Sequence, residues 1–246
     1  MQSKLIRANG VYYHIYQRSA DKSRIFLQNY DALCFITIYR VLGLKHNIDT
    51  LAFCLMDNHL HVLCRAEEMN LLNDFVRDYT SLFVKEYNTY HRRKGSLFPK
   101  HFGRAPKKES KKIRTCISYI NNNPVEAHKE SSMEKYVWNL FAYGNSKNPF
   151  SEPVKLRYCS QRLRRSVQEV RYACSRNEIL RYRHLERLFE NLSKNEKIQL
   201  RDLILSSYSP VNYKKLAGLY GSIDRAKLAI NSFMGSEYDI IIPRDA

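Results

Sequence analysis

The sequence has no apolar run long enough to cross a membrane, and no apolar stretch near Met1 that would direct secretion. Its six cysteines include no Cys-x-x-Cys pair and do not have the spacing of a disulfide-rich secreted domain. Acidic residues are scarce as well, with 24 Asp and Glu against 41 Lys and Arg. These absences argue against a membrane or secreted protein and predict a cytoplasmic one with reduced thiols.

The excess of basic residues gives a formal net charge of +17 in a chain of 246 residues. A field of this size attracts polyanions, so nucleic acid is the predicted partner, and we expect the protein to associate with the nucleoid. A basic ribosomal or membrane-surface protein is the alternative that charge alone leaves open. The hydrophobic content of 44% is enough for one substantial core or two smaller ones.

The hydrophobic pattern of the first half predicts a strand, a helix, a hairpin and a second helix. Residues 11–18 are rich in β-branched and aromatic types, and apolar residues recur at helical spacing over 29–44 and 71–90. Two short apolar runs, 48–56 and 61–64, flank the turn residues Asp57-Asn58 and indicate an antiparallel hairpin. This order favours an α+β domain with helices packed on an antiparallel sheet.

The hairpin contains two histidines, His59 and His61, on either side of Leu60. Residues i and i+2 of a strand point to one face, so both imidazoles can converge on one metal ion while Leu60 enters the core. Histidines beside a turn also occur as the polar face of a surface strand. The pair alone leaves both interpretations open.

A second candidate segment, residues 116–124, contains Tyr119, Asn123 and Pro124. It belongs to a predicted helix over 111–122 that ends before the proline. On a helix, Tyr119 and Asn123 would share a face one turn apart, with the phenol beside an amide oxygen that could serve as a third metal ligand. Packing of the tyrosine and capping by the asparagine are the alternatives.

Between these two segments, residues 92–114 hold ten basic residues and one acidic residue, Glu109. We expect the basic side chains to follow DNA phosphates, and Phe98 and Phe102 to stack on unpaired bases, although a solvated loop is the alternative. His91 and His101 are interpreted as phosphate-contacting or surface residues. The predicted DNA-binding residues are Arg92, Arg93, Lys94, Lys100, Arg104, Lys107, Lys108, Lys111, Lys112 and Arg114.

The segments MDNHLHV and YINNNPV, together with the strand YHIYQR near the start, resemble the HUH single-tyrosine transposases. The nearest branch is the IS200-like group of REP-associated tyrosine transposases, and the resemblance runs from about residue 13 to about residue 143. It implies a ferredoxin-like or RRM-like sheet with the histidines on a central strand. In that family His59 and His61 would bind a divalent ion, Tyr119 would be the nucleophile and Asn123 would complete the metal site.

The resemblance implies a metal-dependent endonuclease and strand transferase for single-stranded DNA, with Mg²⁺ or Mn²⁺ as cofactor. Its substrate would be a hairpin, REP-like or from the end of an insertion element, cleaved through a 5′-phosphotyrosine. The protein would be a monomer or a homodimer. One departure is Asp57, where the family usually has proline, and this residue either changes the turn or adds a carboxylate near the metal.

A linker is predicted at residues 144–153, where Gly, Asn, Ser and Pro cluster. We therefore predict a catalytic domain at 1–150 and a mainly helical domain at 151–246, with one terminal strand signal at 238–242. Residues 213–233 fit either a DNA-binding helix-turn-helix, with Arg225 and Lys227 as contacts, or a structural helical hairpin.

Two other functions are compatible with the sequence. A domesticated relative would bind DNA or RNA in a regulatory role without cleaving it, although retention of the histidines, Tyr119 and Asn123 argues against this. Generic RNA binding through an RRM-like sheet is weakened because the expected aromatic RNP segment is absent.

Overall fold

A computed structural model describes residues 11–233 of the chain. Its first part has the order βαββαβ, with one antiparallel sheet in the strand order β2-β3-β1-β4. This is the ferredoxin-like topology, so the predicted fold class is confirmed. The elements are β1 (Tyr12–Arg18), α1 (Asn29–Lys45), β2 (Asp49–Leu55), β3 (His59–Arg65), α2 (Met69–Tyr90) and β4 (Gly103–Lys107).

The main core lies between one face of the sheet and helices α1 and α2. Aromatic rings dominate it: the Phe35 ring lies 5.0 Å from Phe83 and 5.6 Å from Tyr79, both edge-to-face. Phe53 of β2 joins them at 5.3 Å from Tyr39. Strand residues alternate between the two faces, so this packing directs the other set of β1 and β3 side chains to the opposite face.

The edge strand β4 was not predicted from the sequence. Gly103–Lys107 contains no β-branched residue and includes Pro106, which is tolerated because β4 pairs on one side only, with β1. Pairing with a neighbour, rather than local propensity, makes this segment a strand.

Helix α3 (Ser110–Glu126) covers the second face of the sheet. The prediction that this helix ends before Pro124 is wrong, because the helix continues through Pro124 to Glu126. A proline inside a helix removes one backbone hydrogen bond and clashes with the carbonyl four residues before it. Here the helix ends two residues after the proline, at Glu126. The continuation keeps Asn123 on the helix.

Three short 3₁₀ helices follow, and then five α-helices that confirm the mainly helical prediction for this part. The 3₁₀ helices span Met133–Lys135, Val137–Asn139 and Phe141–Gly144. The α-helices are α4 (Gln161–Ser175), α5 (Tyr182–Phe189), α6 (Lys194–Tyr208), α7 (Tyr213–Tyr220) and α8 (Ile223–Asn231). The strand predicted at 238–242 lies outside the described residues.

The segment 144–153 is anchored by the buried carboxylate of Asp202 on α6. Asp202 accepts hydrogen bonds from the Tyr143 hydroxyl at 2.9 Å, the Phe150 backbone N–H at 3.0 Å and the Ser151 hydroxyl at 2.8 Å. A buried charge is stabilised by several donors of this kind. The predicted linker is therefore packed against the C-terminal helices.

Within residues 11–233, no helix is both long and apolar enough to cross a membrane. The six cysteines are free thiols, and four of them are buried.

Candidate active site

Strand β3 carries His59 and His61 on the face of the sheet that α3 covers. Their ring centroids are 5.1 Å apart. His61 is buried, with 3% of its surface exposed, whereas His59 is half-buried at the start of the strand. Leu60 between them is fully buried.

Helix α3 places Tyr119 and Asn123 against these histidines. The Tyr119 ring lies 5.5 Å from the His61 ring and nearly perpendicular to it. The Asn123 side chain interacts with both Tyr119 and His59. The structure thus brings together the two histidines, the tyrosine and the asparagine that the sequence singled out.

Of the three consecutive asparagines on α3, Asn123 faces this site. The side-chain Nδ2 atoms of Asn121 and Asn122 are used elsewhere, donating to the backbone carbonyls of Ile117 at 2.9 Å and Ile230 at 2.7 Å. Asn123 Nδ2 is buried and has no hydrogen-bond partner among the described residues. Buried polar atoms normally have one, so the polar shell of the site is incomplete at this atom.

The orientation of the His59 ring follows from Asn58. Asn58 Nδ2 donates to the Lys22 carbonyl at 3.0 Å, which directs Asn58 Oδ1 toward His59 Nδ1 at 2.7 Å. An amide oxygen only accepts hydrogen bonds, so His59 Nδ1 carries the hydrogen. The lone pair of neutral His59 is therefore on Nε2.

Burial sets the protonation states of the site. It lowers the pKa of His59 to about 4, with Arg18 as the second cause, and holds the pKa of His61 well below its ordinary value. Burial also raises the pKa of Tyr119, an effect that Asn123 partly offsets. At neutral pH the site therefore contains two neutral imidazoles and a protonated phenol.

The sequence model of the family described as "Transposase IS200 like" matches residues 7–123. This part of the chain belongs to the IS200-like transposase family. A solved structure described as the REP-associated tyrosine transposase bound to a REP hairpin aligns with 13% identity and a TM-score of 0.41, covering 58% of this chain and 82% of that one. None of the curated proteins compared matches the chain significantly.

The donor groups in this transposase domain fit a divalent cation. Burial keeps both imidazoles neutral, so each has a nitrogen lone pair available, and the amide oxygen of Asn123 is a further atom that can coordinate a divalent ion. Within residues 11–233, no group of three or more His, Cys, Asp and Glu side chains is arranged to hold a metal. Asn123 is of a different residue type and lies beside the histidine pair, with an amide oxygen as a possible metal-coordinating atom.

Three residues of β1 that the sequence analysis did not single out line the same site. His14 Nε2 lies 3.0 Å from His61 Nδ1, and the Tyr16 ring lies 4.8 Å from the His61 ring. Arg18 is exposed and stands opposite His59 in the β1–β3 register. Their spacing of two along the YHIYQR strand was a visible signal, but only the strand register shows that this face meets the histidines.

Asp57 stands where the family usually has proline, and its negative charge acts on His59, although burial is the main influence on the pKa of that ring. Its carboxylate pairs with Lys129 Nζ at 2.7 Å and Arg24 Nε at 3.5 Å. Its backbone carbonyl accepts hydrogen bonds from the N–H groups of Ile25 and Phe26. Of the two predicted roles, shaping the turn is the one with direct contacts.

The basic stretch is divided between β4, the loop before it and the start of α3. Two of its arginines are tied to α2: Arg93 Nη1 donates to Asn88 and Arg104 Nη1 donates to Asn73. Lys112 pairs with Glu109. The side chains of Arg92, Lys94, Lys100, Lys108 and Lys111 are exposed, and Lys107 and Arg114 are half-buried.

Two expectations for this stretch are corrected by the structure. Phe98 is only 3% exposed and belongs to the hydrophobic core, so its ring is not available to stack on a base. His91 is half-buried and already paired, because its Nε2 bonds the buried Asp31 carboxylate at 2.7 Å. Phe102 is partly buried against the core, and His101 is exposed as expected.

Proposed function

We propose that the protein is a metal-dependent endonuclease and strand transferase for single-stranded DNA, which cleaves at or near hairpins through a 5′-phosphotyrosine on Tyr119. The observation that carries the proposal is the convergence of Tyr119 and Asn123 on His59 and His61, from a helix and a strand that are far apart in sequence. Membership of the IS200-like transposase family supports it.

His59 through Nε2, His61 and Asn123 would hold a Mg²⁺ or Mn²⁺ ion. A bound divalent ion supplies Lewis-acid polarisation of the scissile phosphate and offsets charge developing on its oxygens. The chain itself contributes Arg18, which is exposed beside His59 and attracts the same phosphate.

In the chemical step, Tyr119 Oη attacks the scissile phosphorus and loses its proton as the Oη–P bond forms. The P–O3′ bond breaks, and the leaving oxygen takes up a proton to become a 3′-hydroxyl. The 5′-phosphate remains on Tyr119, which conserves the bond energy until another 3′-hydroxyl attacks and expels the tyrosine. Burial raises the pKa of Tyr119, so the free energy needed to ionise the phenol adds to the activation free energy of the first step.

Single-stranded DNA would reach the site along the basic residues near the β4 edge. The exposed side chains there provide phosphate contacts that do not depend on sequence. The printed description of the aligned transposase names a REP hairpin, and we propose a hairpin of that kind as the substrate class here.

The test is incubation of the full chain with Mn²⁺ and end-labelled oligonucleotides. We expect a denaturant-resistant protein–DNA adduct with a hairpin that has single-stranded flanks, and little or none with a fully duplex control. Loss of the adduct on omission of the ion would agree with the proposal. Specific binding to hairpins without any adduct, across a library of flanking sequences, would instead indicate a non-cleaving DNA-binding relative.

A further inference from the structure

His59 and His61 have different hydrogen-bond partners at Nδ1: an amide oxygen for His59 and the imidazole of His14 for His61. His59 Nδ1 donates to the amide oxygen of Asn58, as argued above. His61 Nδ1 meets another imidazole, because His14 Nε2 lies 3.0 Å away. His14 comes from β1, has 6% of its surface exposed, and stands two pairs further along the β1–β3 ladder than Tyr16, which is opposite His61.

We propose that His14 is the positioning residue for His61: His61 Nδ1–H donates to His14 Nε2, so that His61 presents its Nε2 lone pair to the metal. The inference rests on the proposed function, in which His61 is a metal ligand. His14 then does for His61 what Asn58 does for His59. Both metal-binding histidines would be held as the Nδ1–H tautomer by a neighbour outside the metal shell.

Two observations and one general rule favour this role over that of a third ligand. The His14 nitrogen nearest the site is already directed at His61 Nδ1. The arrangement of His14, His59 and His61 does not form a three-residue metal group within the described part of the chain. A metal-bound histidine usually donates its other ring N–H to an acceptor such as a carboxylate, a backbone carbonyl or a water, and the lone pair of His14 Nε2 can take that place.

The direction of the hydrogen bond is the substance of the proposal. An N···N distance of 3.0 Å allows one hydrogen between the two rings. If His14 were the donor instead, neutral His61 would carry its hydrogen on Nε2, where it would block coordination. The tautomer of His61 is therefore a direct test that needs no metal.

The first experiment is long-range ¹H–¹⁵N NMR of the metal-free, full-length protein labelled on histidine. We expect the His61 signals of an Nδ1–H tautomer, assigned with a His61→Gln sample. Signals of an Nε2–H tautomer would overturn the proposal, whether or not the protein cleaves DNA.

The second experiment measures Mn²⁺ affinity by isothermal titration in the wild type and four variants. His14→Phe keeps the ring volume but removes the acceptor, and we expect it to weaken Mn²⁺ binding by about 10- to 100-fold. His14→Gln and His14→Glu both offer an oxygen to His61 Nδ1–H and should restore most of the affinity. Glu cannot donate when ionised, so its rescue would agree with His61 as the donor, while the tautomer measurement tests the direction itself.

The matched control is His46→Phe. His46 also loses a side-chain hydrogen bond, to Asp78 at 3.0 Å, but lies between α1 and α2. We expect wild-type affinity from it. Wild-type affinity in a folded His14→Phe protein would overturn the proposal, and if that variant does not fold, the tautomer measurement still decides.

The outcomes for the two proposals are separable. Absence of a DNA adduct from the wild type, with Mn²⁺ binding that still depends on His14, would contradict the proposed function alone. An adduct from the wild type together with an Nε2–H tautomer would contradict the role of His14 alone.

Discussion

Two tyrosines contact His61, one from β1 and one from α3, and they provide a matched test of which is the nucleophile. The Tyr119 ring is 5.5 Å from the His61 ring and the Tyr16 ring is 4.8 Å from it, and both tyrosines are half-buried. Replacement by phenylalanine removes one hydroxyl in each case. The hydroxyl interacts with Asn123 at Tyr119 and with Arg18 at Tyr16, so each change should cost about 1 kcal/mol of stability.

A loss of that size leaves either variant folded, since domains of this kind are stable by about 5–15 kcal/mol. We expect Tyr119→Phe to form no adduct with labelled hairpin DNA, and Tyr16→Phe to form it at a rate close to that of the wild type. Urea unfolding of both proteins checks that their stabilities match. An adduct from Tyr119→Phe, or its loss from a folded Tyr16→Phe, would refute the assignment of the nucleophile.

Three further results are expected. Arg18→Gln should slow adduct formation while leaving Mn²⁺ affinity unchanged, because Arg18 is exposed beside His59 and available to a phosphate; equal rates in single-turnover assays would contradict this. Burial lowers the pKa of His14 to about 4 from 6.5, so its contribution to the stability of the metal-free protein should be complete above about pH 6.5 and fall by about 3 kcal/mol toward pH 4, in addition to losses from His59 and His61. Urea unfolding measures the total, and a flat profile would argue against neutral buried rings. Lys227→Ala should leave hairpin affinity in fluorescence anisotropy unchanged, because Lys227 Nζ pairs with Glu134 at 2.9 Å; a clear loss would favour the helix-turn-helix alternative.

The sequence predicted the parts of the site that depend on local spacing. His59 and His61 share a face because they are two residues apart on a strand, and Tyr119 and Asn123 share one because they are four apart on a helix. The first two helices and the hairpin were predictable for the same reason, since each has its own hydrophobic period.

The parts that depend on long-range pairing could not be read from the sequence. His14 enters the site because β1 lies between β3 and β4, and a strand's neighbours are not encoded in its own pattern. The β4 segment became a strand by pairing with β1, despite a glycine and a proline. Phe98 was misassigned because an aromatic residue in a basic stretch looks exposed until the fold shows it in the core.

The sequence of the C-terminal helices fits either a DNA-binding helix-turn-helix or a structural helical hairpin, and long-range packing distinguishes the two. In the structure α8 packs on α3, the helix that carries Tyr119. Asn122 Nδ2 donates to the Ile230 carbonyl on α8 at 2.7 Å, and the Tyr220 hydroxyl of α7 donates to the Arg114 carbonyl at 3.2 Å.

Helix α3 is therefore held between the sheet on one side and α8 on the other. A nucleophile must be positioned to within a fraction of an ångström, so a support on the far side of its helix affects the chemistry without touching DNA. Under the proposed function, this arrangement would make the helical region part of the catalytic unit, even though the family match ends at residue 123.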